Sequence, residues 1–265
     1  MFKAVRKGFV IASALVVSAG IAGATPSTTY WTPATSDRQP YGVWHLGIDN
    51  YFTLGKKKAS ERGSLPTDVG LTVGVLPYEK IQLEVGIDWS EPSPYPLMFN
   101  AKLGTPEGSL FEGSPALNIG IFGVGTNSSV DSDGNSRNDF NIVHVMVGKT
   151  LPMGLGRIHI GGYSGNDKAL INLKTNDKEN TGFMVGYDKG IMPVKSGKDE
   201  YSRVVLAADY ASGKNAIGGG GVGVYYYFTK DISLLTGPVW FNEPFTAIGN
   251  ENIPWVWTTQ LDINF

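Results

Sequence analysis

The chain has 265 residues, no cysteine and a formal net charge of −2. Disulfides are excluded as a source of stability, and so balanced a charge gives no electrostatic case for a nucleic-acid partner. Its 35 glycines and an aromatic fraction of 11% point to many short strands with tight turns rather than to helices.

The chain opens with MFKAVRK, an apolar run GFVIASALVVSAGIAG and the small residues Ala22, Gly23 and Ala24. This is the layout of a secretory signal peptide over residues 1–24, with cleavage expected after Ala24. The balance turns more acidic once Lys3, Arg6 and Lys7 are removed. No other segment is long and apolar enough for a spanning helix. Residues 25–41 precede the first strand pattern and read as a periplasmic lead-in to a single domain, residues 25–265.

From residue 42 onward the sequence alternates with a period of two, which places neighbouring side chains on opposite faces of an extended strand. Trp44, Leu46, Ile48 and Phe52 share one face, with His45, Gly47, Asp49, Tyr51 and Thr53 on the other. Val69, Leu71, Val73 and Val75 oppose Asp68, Gly70, Thr72 and Gly74, and the segment from Ile81 to Trp89 repeats the rule. Strands are predicted over residues 42–54, 67–76, 80–89, 96–104, 114–124, 140–149, 156–165, 181–190, 201–211, 217–228, 231–241 and 253–265. Strands 4, 8 and 11 alternate least cleanly, and Pro238 argues for an edge, a bulge or a strand end in strand 11.

Connections after odd-numbered strands are mostly long and polar, as in GKKKASERGSLP and GTNSSVDSDGNSRND, while those after even-numbered strands, such as PYE and TKD, are mostly short. An even strand count with short turns at one end and long loops at the other predicts an all-β fold: a single antiparallel transmembrane β-barrel in the cell outer membrane, with short periplasmic turns and long extracellular loops. Aromatics fall into two groups along the strands, as interfacial girdles require. Trp44, Tyr78, Tyr187, Phe228 and Phe265 belong to the lower rim, and Trp89, Phe183, Tyr210, Trp255 and Trp257 to the upper.

The last strand ends in Phe265, with Ile263, Leu261, Trp257 and Trp255 at alternate upstream positions. In this it resembles the bacterial outer-membrane β-barrel proteins, in which such an ending serves as the recognition signal for the barrel-assembly machinery. The resemblance implies that this machinery is a partner, alongside outer-membrane lipid and lipopolysaccharide. The hairpin VGLTVGVLPYEKIQLEVGI also looks like the small putative transporter barrels associated with aromatic-compound degradation, a likeness that transfers no functional residue.

With the apolar face in lipid, the other face lines a lumen. Asp49, Glu84, Asp88, Lys102, Arg157, Arg203 and Asp209 are the residues expected to set its selectivity. Twelve strands lie between a barrel filled by side chains and one with an open channel. Inward glycines favour a narrow path for ions or small solutes, and the acidic excess favours cations. The alternative is a plugged structural or ligand-binding barrel in which the carboxylates pair with Lys102, Arg157 and Arg203 across the lumen, because buried charges are usually paired.

Three further features each have an ordinary reading beside a functional one. Asp131, Asp133, Asn135 and Asp139, with Gly134, are spaced like part of a calcium loop, but no closing bidentate Glu follows, and a solvated loop fits the same residues. The basic run at residues 56–62 could meet lipopolysaccharide phosphates or simply be solvated. His45, His144 and His159 prompt the question of a hydrolase, yet no Gly-x-Ser-x-Gly or His-Glu-x-x-His segment occurs and no serine lies near His144 on the same face, so a non-enzyme without organic cofactor is expected. The segment around Phe245, Ile248 and Ile253 could fold over the mouth as a lid. An apolar outer face suits lipid and a neighbouring barrel equally.

Overall fold

A computed structural model describes residues 31–55, 63–130, 137–197, 199–247 and 250–265. The expected signal peptide, the basic run at 56–62, the calcium-loop residues Asp131, Asp133 and Asn135, and Ile248 lie outside the described residues.

Twelve strands follow one another in chain order: β1 (Trp44–Phe52), β2 (Thr67–Gly74), β3 (Gln82–Glu91), β4 (Leu97–Thr105), β5 (Ala116–Gly125), β6 (Ile142–Thr150), β7 (Arg157–Ser164), β8 (Thr181–Ser196), β9 (Asp199–Ala211), β10 (Gly219–Tyr227), β11 (Ile232–Ala247) and β12 (Asn250–Asn264). Each pairs antiparallel with its sequence neighbours, and β1 pairs with β12 to close the barrel. Closure leaves no open edge, which is the condition for a sheet to sit in hydrocarbon. Trp44 and Phe265 exchange backbone hydrogen bonds of 2.9 and 3.0 Å at the seam.

The alternation read from the sequence is the alternation of solvent. In β6, Ile142, His144 and Met146 are 1%, 2% and 0% exposed, whereas Val143, Val145 and Val147 are 42%, 50% and 42% exposed. Such a band of valine, isoleucine, leucine and aromatic side chains around the whole outer wall exceeds the apolar patch a soluble monomer carries, and it matches a hydrocarbon surround. Trp44, Tyr78, Phe228 and Phe265 are exposed at the short-turn end, and Trp89 and Phe183 toward the other.

Four strands run further than expected. The connection IMPVKSGKDE is not a loop, because β8 and β9 stay paired as far as Ser196 opposite Asp199. Likewise β11 and β12 extend into the segment expected to be a long loop, with Phe245 opposite Ile253. The register slips between Trp240 and Phe245. Across the slip β11 advances from Trp240 to Phe245 while β12 moves only from Trp255 to Ile253, a bulge in β11. Ile253, expected near the mouth, is buried within β12, and Pro254 is exposed. The β10–β11 ladder is interrupted between Val239, opposite Gly221, and Thr236, opposite Val224, and Pro238 sits in that gap. That position has no N–H to give to the ladder.

Candidate functional site

Residues 31–40 fall in the segment expected as a periplasmic lead-in. They thread the lumen as an extended strap, and all but Trp31, Asp37 and Pro40 are buried. The upper end is Trp31, whose ring meets Tyr51 and Phe241 edge-on at 5.3 Å each, while its indole N–H donates to the Ile217 carbonyl at 3.2 Å. The backbone N–H groups of Trp31 and Thr32 donate to Asp209 Oδ2 at 2.8 and 2.7 Å. Lower down, Asn118 donates to the Thr35 carbonyl at 2.8 Å, and Ser36 N–H donates to His159 Nδ1 at 3.1 Å. Gln39 N–H donates to Glu84 Oε2 at 2.7 Å near the short-turn end. A Cβ at Gly74 would lie 2.0 Å from the Pro40 carbonyl oxygen, so the strap's exit needs a glycine there. Each of these bonds has a side chain at one end or both.

The centre of the grip is electrostatic. Arg157 Nη1 and Nη2 donate to the two oxygens of Asp37 at 2.8 and 2.6 Å, and its Nε donates to Asp188 Oδ1 at 2.9 Å. The other oxygen of Asp188 meets His159 Nε2 at 3.0 Å. Lys102 Nζ donates to the Asp37 carbonyl at 3.1 Å and lies 3.3 Å from Glu84 Oε1. Bidentate guanidinium–carboxylate pairs of this kind are among the stronger polar contacts a protein makes. Burial pushes the Asp37 carboxyl up, but the Arg157 charge and hydrogen bonds outweigh it and hold it well below the usual carboxylate range. Arg38 follows, donating to the Ser36 carbonyl and to Gln82 Oε1 at 3.4 Å, and burial lowers its guanidinium below the ordinary value.

The seven residues expected to govern the lumen therefore divide into three sets. Glu84, Lys102, Arg157 and Asp209 grip the strap. Asp49 and Asp88 belong to a separate acidic arc with Asp68: Asp49 stands opposite Asp68 in the β1–β2 ladder, Ser90 donates to Asp68 at 2.7 Å, and Asn100 donates to Asp88 at 2.9 Å. Arg203 is not in this lumen cluster. Its guanidinium donates to the Phe228 carbonyl and lies 5.6 and 6.0 Å from the Tyr201 and Tyr226 ring centres, at the rim of the short-turn end. Glu84 pairs with Lys102 and Asp188 with Arg157 between neighbouring strands, not across the lumen. Asp37 was missed, because its segment carries no period to place it.

Asp139, expected as a calcium ligand, has both oxygens engaged by Arg137 at 2.6 Å each and also accepts from Asn166 at 2.8 Å. A cation would have to displace that guanidinium. Among the described residues no cluster of three metal-type side chains occurs. Leu261 and Ile263 are half-buried on the outer face of β12, and Phe265 is exposed at its end.

Ser36, His159 and Asp188 form a hydrogen-bonded chain, with Ser36 Oγ 3.0 Å from His159 Nδ1. The sequence could not show it, because Ser36 comes from outside the strand pattern. A nucleophile also needs space for a reacting carbon about 3 Å away. Ser36 is 2% exposed, and a single Cβ built on Gly148 would stand 2.0 Å from its Oγ. The chain of bonds serves as a latch for the strap.

No protein-family model and no curated protein sequence matches this chain. Among solved structures it is similar to an outer membrane channel of the COG4313 group from Pseudomonas putida F1, at 12% identity and a TM-score of 0.46, covering 88% of this chain and 99% of that one. It is also similar to the NanC porin, at 8% identity and a TM-score of 0.45, covering 83% and 98%. A third is OmpF of Salmonella typhi, at 6% identity and a TM-score of 0.34, covering 84% and 96%. No solute, residue role or mechanism passes from these proteins to this chain.

Proposed function

We propose that the chain is an outer-membrane channel for small solutes whose lumen is closed at rest by residues 31–40. The observation that carries this reading is the way the strap is held. A wall strand shares a ladder with each of two neighbours, whereas the strap is fixed by side chains that can exchange its groups for water or solute. The long-loop end faces the cell exterior, and the barrel-assembly machinery reads Phe265, Ile263 and Leu261. With the strap displaced, Asp49, Asp68, Asp88 and Asp262 along β12 and β1–β3 give small ions a cation preference.

Planar-bilayer recording tests this. The parent protein is expected to show rare, brief openings, and a variant lacking residues 31–40 to show large, steady steps with a cation-selective reversal potential. A folded, inserted deletion variant without discrete steps would favour the plugged structural barrel instead.

A further inference from the structure

Within an acidic lumen there is one site built for the opposite charge. We infer that Arg157, with Lys102 above it, is a binding site for the carboxylate of a small organic acid, and that Asp37 is its resident occupant. This deepens the channel reading and rests on it for access from the lumen, although binding itself can be measured without conduction.

The geometry divides the guanidinium of Arg157 into two working edges. Asp188 takes the Nε side, and His159 braces Asp188 from its other oxygen. That leaves Nη1 and Nη2 directed at the lumen as a parallel fork, and a carboxylate already sits on it at 2.8 and 2.6 Å. The occupant belongs to the strap and not to the wall, so it leaves whenever the strap does. Asp188 would remain and hold the fork in place. One ammonium, Lys102, stands close enough to donate to the backbone of the occupant at 3.1 Å.

Solvent reaches this place. The side chains of Arg157 and Asp37 are 35% and 18% exposed, whereas those of Lys102 and Glu84 are 4% and 2% exposed. Water therefore reaches the fork. The fork accepts a planar carboxylate through two parallel bonds, which a spherical anion cannot use.

The experiment is calorimetric titration of the folded protein in detergent with benzoate, using benzamide as a neutral isostere and chloride as a competing inorganic anion. When a site is occupied by the protein's own group, apparent affinity falls by the fraction of time the site is free. Asp37→Ala should therefore bind benzoate about tenfold or more tightly than the parent. In that background Arg157→Gln should abolish binding, and Arg157→Lys should retain part of it while losing the bidentate geometry. Benzamide should bind none of them. Failure of Asp37→Ala to gain affinity, or equal binding with Arg157→Gln, would overturn the site, as would chloride competing at equal concentration. A heat-modifiable band on gels shows which variants are folded, and the Arg157→Lys variant keeps the test decisive should Arg157→Gln misassemble. If the deletion variant conducts but benzoate does not bind, the site is wrong and the channel stands. If benzoate binds but nothing conducts, the reverse holds.

Discussion

Residues 31–40 and β1, Trp44–Phe52, are consecutive in the chain but are held by different means. Every residue from His45 to Asp49 stands in register with both β12 and β2. The strap, in contrast, depends on an ion pair, a histidine, two acceptor carboxylates and an amide supplied by side chains. Closing a barrel leaves the backbone of β1 no alternative partner in hydrocarbon, so β1 is fixed by the cost of unsatisfied peptide groups. The strap has water at both mouths as an alternative and is fixed only by the net worth of its contacts. A wall and a movable part can thus be made from adjacent segments.

The largest expected effect is on the wall. Ile48→Pro removes an N–H from the middle of β1 and should abolish the folded, heat-modifiable barrel, whereas removing residues 31–40 entirely should leave that band intact. Equal loss in both would make the strap part of the fold's foundation. Next comes Gly148→Ala, whose Cβ would stand 2.0 Å from Ser36 Oγ and 2.6 Å from His159 Nδ1. It should expel the strap without harming the ladder, seen as frequent openings from a protein of unchanged mobility. Asp209→Asn weakens the acceptor for two backbone N–H groups and should cost about 1–3 kcal/mol of strap docking. Hydrogen exchange at residues 31 and 32 would report it, with little change across β9.

The smallest effect concerns pH. Because Asp37 titrates below its ordinary value in the docked strap, its contribution is fully present above the normal carboxylate range, roughly pH 4, and is lost as pH falls through the depressed value. Opening frequency should therefore be flat from neutral pH down to about 5 and rise only in stronger acid. A rise between pH 7 and 6 would assign the latch to another group.

The barrel was legible because each strand carries its solvents in its spelling. Val143, His144, Val145, Met146 and Val147 alternate in exposure as their positions require, and Phe265 with Leu261 and Ile263 marks the closing strand. The upper end of β12 misled, since β11 and β12 stay paired past a bulge between Trp240 and Phe245, and Ile253 is buried there in a strand and not in a loop. The site was half legible. Glu84, Lys102, Arg157 and Asp209 follow from strand phase alone, whereas Asp37, Ser36 and the role of His159 depend on WTPATSDRQP, which has no period and acquires meaning only from the heights of the wall groups it passes. Arg203 has the inward phase, but it sits so near the rim that its long side chain reaches the tyrosine rings instead.

The chain has no cysteine, so a pair introduced as Ser36→Cys and Gly148→Cys stands alone chemically. The Cβ built on Gly148 lies 2.8 Å from Ser36 Cβ, within about an ångström of the spacing a disulfide adopts. Bilayer recording of this double variant is expected to show a silent barrel when oxidised and openings that appear on reduction. Currents from the bonded, oxidised barrel equal to those after reduction would contradict a strap that closes the lumen and can leave it.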